Sequence, residues 1–443
     1  MKQKPGSPPV AASAEERFGP PLDYPYLLGA YLAVNAVSDL GIFVDGPDCA
    51  IGKAEHVFGA HDRRSTLLDA AGASRVAFSG QDLRRAALAR PGDGEDAAVA
   101  LARQAGVAAV IVDGLPLCLV AGADYAARAR VLENRVKKPF LALPRRSLNA
   151  DWLDGYDAVL TALARRLPLD AGPRSERRVA LVGLLFDRNE EDRRADVAEL
   201  ARTLAALDFE LVSTWPCGGD VRGLSAAGTA GTILSLPYAR VAARALTERV
   251  GARLIELELP VGLEGSRRWV ATLGAATGRQ AAAGAFIDAE LRETSPRLER
   301  GAVGLFQGRK AALCADPHFL PGLAEWTAQL GLTTALAASV GRLREGGADR
   351  LSGRASLMLE RPTSGLLRAA WARARAEGAT LLVGSSDARR AAGGGAWTEL
   401  GFPSRTWHAL TPQPTLGFAG ALALAQRLAD GILDVECSSG ARP

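Results

Sequence analysis

Short apolar runs rich in β-branched residues alternate along this chain with longer Ala-, Leu- and Arg-rich segments whose apolar positions recur at helical spacing. Parallel strands need crossover helices and are then covered on both faces, so they read as continuous hydrophobic runs; this alternation therefore predicts parallel βα units. The first part offers "GIFVDG", "RVAFSG", "AAVIVDG" and "PFLALP". After the Pro/Arg-rich break "LPLDAGPRSERR" at 167–178 come "RVALVGLLFD", "ELVSTWP", "TILSLP" and "RLIELELP". A third part follows "ERGAVGLFQGR" with "KAALCADP", "TTALAAS", "SLMLE" and "TLLVGSS", closing on the helix "ALALAQRLADGIL". Three sets of about four strands predict an α/β chain of three doubly wound, Rossmann-like modules with mainly parallel sheets. The expected boundaries are 23–172, 173–305 and 306–436, with a flexible Pro- and Ser-rich tail at 1–22 and a short tail at 437–443.

The 443 residues suffice for several cores, and 48% apolar with 23% charged residues is ordinary for a globular protein. The 53 basic and 49 acidic residues are dispersed, without a basic run interleaved with aromatics, which argues against nucleic acid as a partner. No run approaches the ~18 apolar residues of a membrane span. The first residues lack the apolar core of a signal peptide, so no membrane association and a cytoplasmic location are expected. Five cysteines, scattered and without a CxxC pair, are unlike a disulfide framework and point to reduced thiols or metal ligands.

In doubly wound sheets ligands sit beyond the carboxyl ends of the strands. Two cysteines fall there, both in the first module: Cys49 after "IFVDGPD" and Cys118 after "VIVDGLPL". Each strand ends in Val-Asp-Gly, and a Pro-containing turn then delivers the thiol, so a parallel sheet brings the two toward one rim. Either cysteine alone reads equally well as a small buried residue; the pair is more informative. Thiolates are the preferred ligands of iron–sulfur clusters, which usually take four. This chain does not offer four at one rim, so a cluster there requires a second chain or oxygen ligands, for which Asp23, Asp45 and Asp48 are nearby. Cys217, in a Gly-Gly turn, and Cys314, inside an apolar run, read as structural, and Cys437 falls in the terminal tail.

Four histidines are too few for a dedicated His-metal site. His56 and His61, five apart instead of the helical four, read as polar surface, and His318 as a residue at a helix start. His408, after the last strand, is a candidate cleft residue, with a hydrogen-bonded structural role as the alternative. The strand-turn "VALVGLLFDRNEED" lacks the three glycines of a dinucleotide fingerprint, and "DGPDCAIGK" lacks the spacing and Ser/Thr of a phosphate-binding loop.

With the modules and rim thiols in view, residues 23–434 resemble the component 1 family of nitrogenases and nitrogenase-like reductases, which includes the dark-operative protochlorophyllide and chlorophyllide reductases. "YLLGAYLAVNAVSDLGIFVDGPDC" is similar to the family's opening, and "IVDGLPLCLVAGADYAARAR" to its later cysteine segment. "LELPVGLEGSRRWVATLGAATG", "GRKAALCADPHFLPGLAEWTAQLGL" and "FPSRTWHALTPQPTLGFAGALALAQRLAD" resemble its later segments in the same order.

The resemblance implies a 4Fe-4S-type cluster at a subunit interface with Cys49 and Cys118 as this chain's metal ligands. It further implies a homologous component 1 partner, in a heterodimer, higher oligomer or homodimer, and electrons from an ATP-dependent iron-protein reductase. The reaction implied is reduction of an unsaturated or tetrapyrrole-like substrate in a cavity between the modules. Departures qualify this. Pro25 stands where the family's first cluster cysteine falls, and proline cannot ligate. The turn before Cys49 is one residue short, so Asp48 and Cys49 compete for one ligand position. Leu236 and Pro237 occupy the place of the nitrogenase cofactor's cysteine, whereas His408 lies near its histidine and is the one catalytic candidate; this argues against dinitrogen reduction. The runner-up is a non-catalytic paralogous subunit or cofactor-assembly scaffold. A metal-free Rossmann-like binding protein is a third reading with no motif behind it.

Overall fold

A computed structural model describes residues 19–68, 74–81, 84, 94–144, 150–344 and 346–439. In it the predicted alternation becomes three all-parallel sheets. The first contains β1 (Leu40–Asp45), β2 (Val76–Phe78), β3 (Ala109–Gly114) and β4 (Phe140–Ala142) in the order β2-β1-β3-β4. The second contains β5 (Ser175–Val182), β6 (Glu210–Trp215), β7 (Ala230–Ser235) and β8 (Arg253–Glu256) in the order β6-β5-β7-β8. β1 and β3 are buried at every residue, which is why their sequences carry no polar alternation.

The third sheet has one strand more than expected: β9 (Lys310–Ala315), β10 (Thr333–Ser339), β11 (Ala355–Glu360), β12 (Ala379–Gly384) and β13 (Ala396–Glu399), in the order β11-β10-β9-β12-β13. β13 is only "AWTE", four residues with no periodic signature, and its pairing along β12 is what makes it a strand. Strand order reverses between β1 and β3, between β5 and β7, and between β9 and β12, and crevices form at such switch points. Among the described residues no helix is long and apolar enough to cross a membrane.

Two expectations about the termini are corrected. Residues 1–18 lie outside the described part, but 19–22, assigned to a tail, dock on the third module. Leu22 N–H donates to Pro362 (2.8 Å), Ser364 N–H donates to Pro20 (2.9 Å), and buried Leu22 joins the third module's core. Burial of one leucine and two backbone bonds overrides the Pro-rich composition. At the other end the final helix runs Gly417–Ser439, so residues 437–439 continue the helix; the Cys437 side chain lies outside the described residues.

The first module is tied to its neighbours by two helices. Tyr26–Asn35 is buried along its whole length and packs on Trp152–Arg166, which starts at a capping box between Asp151 and Asp154. The two backbones approach closely because both carry glycine: a Cβ on Gly29 would lie 1.6 Å from the Trp152 carbonyl oxygen, and one on Gly155 1.9 Å from that of Tyr26. Trp152 Nε1–H then reaches the Val340 carbonyl (3.2 Å), across to the third module. Gly29→Ala is expected to force the helices apart and cost about 2–3 kcal/mol or more. The check is the denaturant midpoint of the variant against wild type; an unchanged midpoint would contradict the close approach.

Candidate functional site

The β1/β3 switch point carries the two repeated Val-Asp-Gly endings, and their register decides what each residue does. Asp45 pairs with Gly114, and Val44 with Asp113, an offset of one residue. Neighbouring positions of a strand point to opposite faces, so the two aspartates part company. Asp45 turns toward the helix Tyr125–Val136, where it meets Arg128 (2.8 Å), the Tyr125 hydroxyl (3.3 Å) and the Ser79 hydroxyl (2.6 Å). Gly114 leaves room for that tyrosine, whose hydroxyl would be 1.8 Å from any Cβ there. Asp113 is buried on the other face; its Oδ1 accepts Gly114 N–H (2.8 Å), and its Oδ2 has no hydrogen-bond partner. Burial pushes its carboxyl up to about 7, against the opposing pull of the Gly114 bond.

The same offset aligns the turns. Cys49 and Cys118 each follow their register-matched partners, Asp45 and Gly114, by the same count of residues, although the first turn is one residue shorter when measured from its glycine. Cys49 opens the short helix Cys49–Glu55 and is exposed, as is Asp48 before it. Cys118 is buried in the helix Pro116–Val120. Burial pushes its thiol up to about 11, with the Asp45 carboxylate adding and Arg128 opposing, so it is not a free thiolate at neutral pH. Asp23, the third oxygen candidate, is ion-paired with Arg361 (2.5 Å), away from this turn in the chain contacts it makes.

A second centre lies in the segment after β5, Phe186–Asp192, where all three modules meet. Asp187 reaches His61 of the first module (3.3 Å) and Arg193 (2.6 Å), and Asn189 donates twice to Asp62 (3.0 and 2.9 Å). Glu190 accepts from His408 Nδ1–H (2.7 Å) and Ala409 N–H (3.0 Å), and Arg188 is paired with Asp192 (2.6 Å). Asp187, Arg188, Asn189, Glu190 and Asp192 are all buried. Burial raises the Asp187 carboxyl, yet Arg193, His61 and Arg188 together outweigh it and hold the group well below the usual range.

His56 and His61 correct their assignment to polar surface. They bound a π-helical turn, His56–His61, that continues the Cys49 helix. A π-helix bonds residue i to i+5 and is wound more loosely than an α-helix, so a spacing out of phase for an α-helix brings both toward one face. Both rings contact Phe402, at 5.9 and 4.7 Å, and His61 is 1% exposed. His318 precedes a helix as expected, with Leu320 its first residue, and Cys314 is buried in β9 with its thiol pushed up to about 12 by burial. Cys217 is half-buried, and Gly218 beside it takes φ +80°, the conformation its turn requires.

The carboxyl ends of β5, β7 and β9 converge on a cavity lined by Arg193, Asp196, Tyr238, Asp316, Leu400 and Thr415. Its volume is only ≈ 30 Å³, far below the ~300–1,000 Å³ of small-molecule sites. Neither Leu236 nor His408 lines it.

A family model, nitrogenase component 1 type oxidoreductase, matches residues 26–433. The chain belongs to the nitrogenase component 1 type oxidoreductase family. Light-independent protochlorophyllide reductase subunit N of Synechococcus sp. (strain CC9902) is 32% identical over 164 residues, which span 37% of this chain and 35% of that relative. A solved structure of nitrogenase Cp1 at pH 6.5 superposes with TM-score 0.78 at 18% identity, covering 97% of this chain and 96% of the other. Nitrogenase Cp1 at pH 5 gives TM-score 0.70 at 12% identity, covering 94% and 89%. The likeness to these structures is one of fold.

Within this component 1 fold the chain's donor set is partial. Pro25 is exposed, caps the Tyr26–Asn35 helix and pairs with Asp151; it has no atom to ligate with. Among the described residues no three or more His, Cys, Asp or Glu gather where they would hold a metal ion. Two thiols on one rim, one of them exposed, fit a shared cluster and do not fit a self-contained one. The charged junction around Asp187 and Arg193 escaped sequence reading; its signal was a charged run directly after a buried strand.

The buried Asp113 makes a pH prediction. Between an ordinary value near 4 and about 7, the folded chain holds a proton that the unfolded chain has released, so stability falls as pH rises through that window and levels above it. The slope is about 1.4 kcal/mol per pH unit. Denaturant melts of wild type from pH 5 to 7.5 should show this loss, and Asp113→Asn should flatten it; equal slopes in the two proteins would contradict the buried, neutral Asp113.

Proposed function

We propose that this chain is one subunit of a nitrogenase-like reductase, in which Cys49 and Cys118 are its ligands to a 4Fe-4S-type cluster shared with a homologous component 1 subunit. The observation that carries the reading is the register match of the two strand-turn-thiol units at the first sheet's switch point, within a chain of this family. Such a cluster, when bound, supplies one-electron storage at low potential. The chain's own residues set its surroundings: Asp45 and Arg128 place fixed charges beside Cys118, and exposed Asp48 and Cys49 present oxygen and sulfur to a partner. An ATP-dependent iron-protein reductase is the electron source in this reading, and the substrate is an unsaturated, tetrapyrrole-like molecule. The 32% likeness to the protochlorophyllide reductase subunit supports that choice over dinitrogen.

A second reading, a non-catalytic paralogue or cofactor-assembly scaffold, is favoured by two observations: Pro25 at a ligand position and an interior cavity of ≈ 30 Å³. Anaerobic purification with a co-expressed homologous subunit, followed by iron and sulfide analysis and spin-resonance spectra, separates the two. Wild type should contain iron; Cys49→Ala and Cys118→Ala should each lose most of it, and Cys314→Ala should keep it. An iron-free wild-type complex, or rim variants with full iron content, would reject the assignment. The scaffold reading would then stand if the complex still assembles.

A further inference from the structure

A cleft of ≈ 550 Å³ opens between the second and third modules beyond the carboxyl ends of β7, β9 and β10. Ligand pockets commonly span about 300–1,000 Å³. Among the described residues five arginines line it, Arg240, Arg268, Arg344, Arg350 and Arg354, against two lining carboxylates, Glu258 and Glu325. Arg240, the most enclosed of the five, is held by the Ser235 and Leu257 carbonyls (2.9 and 3.0 Å) and Glu258 (3.0 Å), with Glu256 at 3.9 Å. Arg268 forks onto Glu325 and also meets Glu264 (3.5 Å); Arg344 pairs with Asp151 and Asp154 (3.2 and 3.1 Å). Arg350 meets Glu258 through one nitrogen (2.5 Å), and Arg354 meets Glu325 at 4.0 Å.

A guanidinium carries five N–H donors, and these contacts use only part of that supply. Burial, then Arg344, Arg240 and Arg350, push the imidazole of lining residue His318 down to about 3. His318 is therefore neutral at working pH and available for hydrogen bonding without adding charge. Planar forks around a roomy cleft suit oxygens of carboxylate or phosphate groups bidentately.

We propose that this arginine cleft binds a small polyanion carrying at least two carboxylate or phosphate groups, with Arg350 and Arg354 as direct contacts. It rests on the cleft alone and stands whether or not the rim holds a cluster.

The test is calorimetric titration of the full-length chain, with its partner subunit where one co-purifies, using citrate, pyrophosphate and acetate at constant ionic strength. Citrate or pyrophosphate should bind at one site and acetate should not; which of the two binds tells carboxylate from phosphate chemistry. An Arg350→Gln/Arg354→Gln double variant should weaken binding about tenfold or more. Arg267→Gln, which removes one positive charge outside the cleft, should leave it unaltered. In wild type the bound polyanion should also shift the His318 imidazole resonance and not that of His56, a readout independent of how the variant folds. Polyanions binding no better than acetate, equal weakening by Arg267→Gln, or an unmoved His318 resonance would overturn the proposal.

Discussion

One phenylalanine of the third module anchors the assembly. Phe402 stacks on Trp152 (5.5 Å) and receives Tyr24, His61 and His56 edge-on at 5.0, 4.7 and 5.9 Å, so four rings of the first module converge on it. His61 passes the contact on to Asp187 of the second module, and Arg193 and Asp196 carry it back to Thr415. Buried charges are tolerable only when paired, and these pairs are completed only when all three modules are present. The aromatic wedge and the ion pairs behind it therefore fix the modules as a unit.

That packing has a consequence for chemistry. The junction fills the space beyond the strand ends of the second and third sheets, leaving a cavity of ≈ 30 Å³. That cavity is far too small for a ring as large as a tetrapyrrole. The candidate sites lie instead at accessible places: the thiol rim with exposed Cys49 and Asp48, and the arginine cleft.

The strand runs, the crossover pattern and the repeated Val-Asp-Gly endings were legible because continuous burial on both faces leaves a direct mark on sequence. The histidines were misread for a local reason. Spacing of five was judged against an α-helix, and the insertion of a π-turn, which no residue type announces, rotated His61 into the core. The role of the charged segment Asp187–Asp192 was not legible because its partners, His61, Asp62 and His408, are more than a hundred residues away in either direction. β13 was invisible because its strand character comes from β12 beside it.

By itself the sequence determined the α/β class, the three modules, the family and the two cysteines that deserve testing, since each rests on local hydrophobic pattern or on ordered motifs. Tertiary structure alone decided that Asp45 is ion-paired while Asp113, from an identical tripeptide, is buried with its carboxyl pushed up to about 7. It also decided that five arginines from separate helices and loops share one cleft. Register and module packing set these outcomes: a one-residue offset between strands reverses a side chain's face, and no sequence window contains both strands.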